Sequence, residues 1–270
     1  MVTISRQAGS GGDEIARFLA KELEWDFLDK EALERLLTER GFPMVEFEIY
    51  DERKPGLWHR FSAERDRYLH FLKMVSYDFA RQGSCVILGR GGQIMFRDVP
   101  GAIHVRVVAP LHNRVEAVRE KFAYDERRAR HAVQHEDNER AGFHRFLFHA
   151  NWDSPDLYDL IISTRFISEK SAADLIMNAL DAEDVAAVKK QGARKLEDLY
   201  LAQRVSIAVL YEQQLPIHLL EIEAVDGVIT LKGTAGNRES IGRCETVAAD
   251  VPGVTSVINE VSFVPEYVGV

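Results

Sequence analysis

The sequence predicts an α/β protein: a parallel sheet flanked by helices, followed by a small α+β unit. Three observations carry this. The chain opens with Val2-Thr3-Ile4-Ser5-Arg6, turns through Gly9-Ser10-Gly11-Gly12, and continues with Ile15, Ala16, Leu19 and Leu23 at helical spacing, giving strand, glycine loop and helix. Short apolar runs then alternate with helical patterns, which is the order of βαβ units and a parallel sheet. Past about residue 195 the order changes to helix, hairpin, helix and strand, with Asp226-Gly227 at the hairpin turn.

The opening loop has the make-up of a phosphate cradle. Glycines let backbone N–H groups turn inward, and the helix that follows points its positive end at an anion. The candidate binding residues are Gly9, Ser10, Gly11, Gly12, Asp13 and Glu14. Set against the P-loop pattern G-x-x-x-x-G-K-[ST], the lysine position is Gly12 and the hydroxyl position is Asp13, so both ion-handling side chains are absent. Two roles are open to Asp13 and Glu14: first-turn acids that favour a helix N-terminus, or a magnesium role with Asp13 as the ligand.

Composition narrows the partners. With 34 basic and 43 acidic residues, net charge −9, the chain is poorly suited to a broad nucleic-acid surface and better suited to a small anionic ligand. At 270 residues two modest domains are expected, over 1–181 and 195–270, joined by a partly helical linker at 182–194. The only cysteines, Cys85 and Cys244, lie far apart and read as buried reduced thiols. No basic leader or long uncharged apolar run is seen, and the expectation is a soluble cytoplasmic protein.

In order, residues 25–29 read as a short strand and 30–40 as a helix, which places Asp29, Lys30 and Arg35 near the phosphate site. Residues 41–61 read as irregular, with Trp58 and Phe61 either covering an acceptor or packing a surface connection. Tyr68, Phe71, Leu72, Val75 and Phe79 mark a buried helix face. Ser84 to Leu88 is a buried strand ending in Gly89-Arg90-Gly91-Gly92, where the guanidinium of Arg90 is placed for two-point phosphate contact or for a structural carboxylate pair. A strand at 103–109 and a helix begun by Pro110 precede an arginine-dense helical run over 125–145, which is either a solvated face or a mobile lid. His131 and His135, four apart, lack a third metal ligand at suggestive spacing. A strand at 158–164 and a helix at 171–180 close the first unit.

Taken together, Ile4-Ser5-Arg6 through Gly12 to Glu14-Ile15-Ala16, Phe27 to Lys30, Gly89 to Gly92, Val105 to Pro110, Asp137-x-x-Arg140, Trp152-Asp153 and Tyr158-Asp159-Leu160 resemble the cytidylate kinase-like family of nucleoside monophosphate kinases. The resemblance covers residues 2–181 and implies a P-loop fold with a five-stranded parallel sheet, a monophosphate-binding insertion and a lid. It implies ATP and Mg2+ as cofactors, Arg35 and Arg90 on the acceptor phosphate, Asp137 and Arg140 near the ribose and transferred phosphate, and lid arginines among Arg127, Arg128 and Arg130. The departures at Gly12 and Asp13 leave catalysis open, with Arg6, Lys30 or a lid arginine as substitutes for the absent charge.

Residues 195–265 resemble a BON domain through Asp226 to Thr234 and Val251-Pro252-Gly253-Val254. That resemblance implies a module for partner binding, self-association or membrane contact, of which the acidic balance favours the first two. The expected function is an ATP-dependent kinase acting on CMP or dCMP, with nucleoside mono- and triphosphates as partners and no nucleic-acid polymer. The rivals are a catalytically weak nucleotide sensor signalling through the BON domain, and a scaffold.

Overall fold

The computed structural model describes residues 1–42 and 62–265. Strands β1 (Val2–Arg6), β2 (Asp26–Leu28), β3 (Cys85–Leu88), β4 (Ile103–Val108) and β5 (Leu160–Ser163) form one parallel sheet in the order β2-β3-β1-β4-β5. β1 is central, with Ile4 opposite Leu88 on one side and Val105 on the other. In such a sheet ligands gather outside the carboxyl ends of the strands, where Arg6, Gly89 and Val108 lie.

Helices α1 (Gly12–Glu22), α2 (Lys30–Glu39), α3 (Ser62–Arg81), α4 (Gly92–Met95), α5 (Leu111–Phe122), α6 (Glu126–Phe148) and α7 (Glu169–Leu180) are interleaved with the strands. Ile15 and Leu19 of α1 and Ala172 and Ile176 of α7 pack on Ile4, Val86, Val105 and Ile162, which gives the sheet its apolar layer. Of the irregular segment expected over 41–61, residues 43–61 and their aromatics lie outside the described residues.

The segment expected as a partly helical linker is part of a continuous helix, α8 (Glu183–Ile207), which ends in a wide turn over Ala208–Glu212. Ala, Glu, Lys, Gln and Arg make up most of residues 182–194 and are good helix formers, and a single glycine at 192 does not break the helix. Strands β6 (Ile217–Val225), β7 (Val228–Ala235) and β8 (Ser256–Phe263) form a second sheet, antiparallel across the hairpin and parallel between β7 and β8. Asp226 and Gly227 both have positive φ, as a two-residue hairpin turn of this type demands. Helix α9 (Arg238–Ala249) is capped by Asn237, which accepts from Ser240 N–H at 2.7 Å, and its Cys244 and Ala248 join Val205, Ile229 and Leu231 in a separate core.

The chain divides into two compact units, residues 1–65 with 82–192, and residues 66–81 with 193–270. Most of α3, reached between β2 and β3, thus belongs with the second sheet. His70 bonds Gln203 at 2.9 Å, the Phe71 ring lies 6.1 Å from that of Tyr211, and Arg81 lies 4.1 Å over the ring of Tyr200. Both cysteines are buried and free, and burial pushes each thiol up to about 11. Among the described residues no helix is long and apolar enough to cross a membrane.

Candidate functional site

The loop between β1 and α1 is held from three sides. Gln7 N–H donates to Val107 O at 3.0 Å and its side-chain oxygen accepts from Ala109 N–H at 3.2 Å, so the loop is tied to the end of β4. Ser10 Oγ donates back to Gln7 O at 2.8 Å, and Thr164 Oγ1 donates to Ser10 O at 2.8 Å. Ala8 N–H donates to Asp137 Oδ1 at 2.8 Å, while Ala8 O accepts from Arg114 at 3.1 Å. Gly9 passes so close to the backbone of Arg114 that a Cβ there would lie 2.6 Å from its carbonyl oxygen. Gly11 precedes α1 in the left-handed conformation and offers no side chain to cap it, which leaves the first N–H groups of the helix for an outside acceptor.

At the mouth of this loop lies a cavity of about 1000 Å³, lined by Arg6, Gly9, Gly11, Asp13, Arg17 and Arg140 among others, with α5 and α6 as its far wall. The Arg6 guanidinium grips Asp13 in two-point fashion, at 3.2 and 2.9 Å. Burial would raise the Asp13 carboxyl, but Arg6, helped by Arg140 and Arg17, outweighs it and holds the group below the usual carboxylate range. Glu14 pairs with Lys121 at 2.8 Å, and Arg140 donates to Arg6 O and to Glu136, each at 3.0 Å.

Both oxygens of Asp13 accept from Arg6, and no group of three His, Cys, Asp or Glu side chains converges to hold a metal among the described residues.

Arg90, in a left-handed backbone conformation after β3, is buried. Its guanidinium lies 3.6 Å from Glu34 and 5.5 Å from the centre of the Phe143 ring. Lys30 approaches the same Glu34 oxygen at 3.7 Å, so Glu34 draws two of the expected acceptor cations together. Asp29 caps α2 by accepting from Ala32 N–H at 3.0 Å. Arg35 is 72% exposed and pairs along its own helix with Glu39, away from Arg90's carboxylate. Arg90 is not part of the cavity lining.

Along α6 the cavity wall is made by His131, His135, Glu136, Glu139 and Arg140. Arg127 is exposed, Arg128 stacks 3.9 Å over Tyr124, and Arg130 pairs with Glu126 at 3.2 Å; none of the three lines the cavity. Asp137 braces the loop. Besides Ala8 N–H it accepts from Arg114 at 2.6 Å, and Arg114 also donates to Ala109 O at 2.9 Å. Sequence reading missed Arg114, although a signal existed: an arginine on the same buried helix face as Val115 and Val118.

The remaining shared residues form a polar network behind the loop, buried at Ser5, Arg106 and Trp152 and open to solvent at Asp153 and Asp159. Trp152 Nε1 donates to Ser5 Oγ at 2.7 Å, and the Tyr158 hydroxyl donates to Trp152 O at 2.9 Å. Arg106 donates to Trp152 O and Asp153 with its guanidinium 4.4 Å over the indole. Asp159 accepts from His104 N–H at 2.7 Å and ties β5 to β4. His144 faces the carbonyl of Arg140 through Nδ1, so that nitrogen carries the proton and Nε2 accepts from Gln93 at 2.8 Å.

The model of the cytidylate kinase-like family matches residues 1–165, and that of the BON domain matches residues 197–265. The chain is 26% identical over 167 residues to a cytidylate kinase of Methanococcus aeolicus, covering 61% of this chain and 88% of that protein. A stretch of 92 residues, 34% of this chain, is 33% identical to a uronate isomerase of Corynebacterium glutamicum, and spans only 18% of that protein's length. Among solved structures, an uncharacterized protein from Eubacterium ventriosum shares the fold, with a TM-score of 0.52 and 22% identity over 67% of this chain and 97% of that one. With its parallel five-stranded sheet and braced glycine loop, this chain belongs to the cytidylate kinase-like family and carries a BON domain after it.

Proposed function

We propose that this protein is a phosphotransferase that moves a phosphoryl group from ATP to a nucleoside monophosphate of the CMP or dCMP type. The observation that carries the reading is the glycine loop at the N-terminus of α1, opening on a cavity lined by Arg6, Arg17 and Arg140. Backbone N–H groups aimed at a phosphate, with guanidinium groups around it, neutralise the charge of a moving phosphoryl group, and such a donor is worth on the order of 3 to 4 kcal/mol in the transition state. Arg90 and Lys30, gathered by Glu34, are assigned to the acceptor phosphate. The cytidylate kinase of Methanococcus aeolicus supports the choice of acceptor. We assign the enzyme to the cytoplasm and give the BON domain a role in self-association or in binding a protein partner.

A coupled ADP-release assay across the common monophosphates tests this reading. Turnover with a pyrimidine monophosphate is expected, and none with any of them, at enzyme concentrations near substrate, overturns it. A second reading draws on the Arg6–Asp13 pair, which already satisfies the cation at the loop. It makes the first unit a nucleotide sensor that reports occupancy through the BON domain. A nucleotide-dependent rise in melting temperature without ADP release selects it, since stabilisation follows mass action whether or not chemistry occurs.

A further inference from the structure

We propose that Arg6 supplies from the end of β1 the phosphate-binding cation that P-loop proteins draw from a lysine at position 12, with Asp13 occupying that cation until a nucleotide phosphate displaces it. This inference rests on the nucleotide-binding reading above.

Gly12 is the first observation. It lies in the first turn of α1, not in a left-handed conformation, so its backbone does not call for glycine, which is a poorer helix former than alanine. What calls for glycine is room. A Cβ on residue 12 would lie 2.4 Å from Arg6 Cβ and 2.8 Å from its Cγ. Those atoms sit close to the backbone of a central strand and have no way to swing aside, so a lysine at 12 excludes the arginine at 6, and with it any residue there that carries a Cβ.

The second observation comes from a different motif. A Cβ on Gly89, at the end of the neighbouring strand β3, would lie 2.7 Å from Arg6 Nη1. Gly89 has a positive φ that favours glycine in its own right, and the Arg6 side chain runs close past it. Its guanidinium reaches over the carboxyl end of the sheet to the first turn of α1 and lines the cavity on the loop.

The third observation is the partner. Asp13 takes Nε and Nη2 together, the two-point geometry in which a guanidinium also takes a phosphate. A carboxylate there neutralises Arg6 and repels an incoming polyanion, so a nucleotide phosphate competes with it. Asp13→Asn is expected to bind ATP several-fold tighter.

The test is a charge transplant, read as ADP release and as ATP affinity from titrated melting shifts. Arg6→Ala is expected to lose 10²- to 10³-fold in turnover, the usual cost of one such donor, and to weaken ATP binding. Gly12→Lys alone is expected to fail through collision with Arg6. Arg6→Gly/Gly12→Lys, which removes the Cβ at 6 that a side chain at 12 would meet at 2.4 Å and puts the cation back where P-loops carry it, is expected to recover at least tenfold over Arg6→Ala. Circular dichroism establishes folding of each variant, and if the double variant does not fold, recovery of Arg6→Ala by added ethylguanidinium replaces it. Arg6→Ala with wild-type turnover and affinity overturns the inference, as does recovery by neither route. If the wild-type chain itself neither turns over nor is stabilised by nucleotide, the nucleotide reading has failed, an outcome separate from a wild type that binds and is indifferent to Arg6.

Discussion

Asp137 shows how one side chain can tie the loop to two helices. It joins α6 to the loop through Ala8 N–H and to α5 through Arg114, whose guanidinium is itself buried. Asp137→Asn leaves that guanidinium without its counter-charge. The expected loss is about 2 to 3 kcal/mol, below the full cost of breaking a buried pair because Asp137 keeps 19% of its side chain exposed. Urea denaturation measures it as a lower midpoint at unchanged slope. At this scale sequence told half of the story. The glycine loop was legible because strand, turn and helix are written in neighbouring residues, whereas the bracing of Ala8 by residues 114 and 137 depends on two distant helices meeting. Arg35 and Arg90, which the resemblance places together on one acceptor phosphate, illustrate the same limit: sequence does not tell that Arg90 lies buried against Glu34 while Arg35 lies exposed along α2.

Among elements, two helices make the effect of a Gly→Ala change depend on surroundings alone. On propensity alone, alanine in place of an internal helix glycine gains about 1 kcal/mol. In α9, Gly242 has open space around it, so Gly242→Ala is expected to gain that amount. In α8, a Cβ on Gly192 would lie 2.1 Å from the carbonyl oxygen of Pro100, and a backbone atom yields little. Gly192→Ala is therefore expected to be destabilising, since overpacking costs about 1 to 3 kcal/mol and exceeds the helical gain. Opposite shifts in the melting temperatures of the two variants are the check. The same glycine explains why residues 182–194 read as only a partly helical linker. Their composition is helix-permissive, but nothing in the sequence reveals that Gly192 provides room for a neighbouring chain segment rather than a break. Periodicity likewise placed a buried face on 63–82 without showing which unit buries it.

For the whole molecule, the allocation of α3 matters most. Residues 66–81 belong with 193–270, so the second unit is discontinuous in sequence. A chain ended at Gly192 would strip Phe71 and His70 of Tyr211 and Gln203. Exposing a buried aromatic costs about 1.5 to 3 kcal/mol. The truncated protein is thus expected to bind a hydrophobic dye and melt below the full chain, and an unchanged melting temperature with no dye binding would refute the dependence. Both sheets were legible in outline, because a parallel βαβ series and a hairpin each leave a local signature. The exchange of a helix between them was not, since a helix's apolar stripe does not say which sheet will receive it. That exchange also constrains the protein's birth. As the polypeptide leaves the ribosome, residues 66–81 emerge on the order of ten seconds before the segment that covers them. Throughout that interval the apolar stripe of the helix stands uncovered on the nascent chain, and the rate of translation through residues 82–192 sets how long it waits.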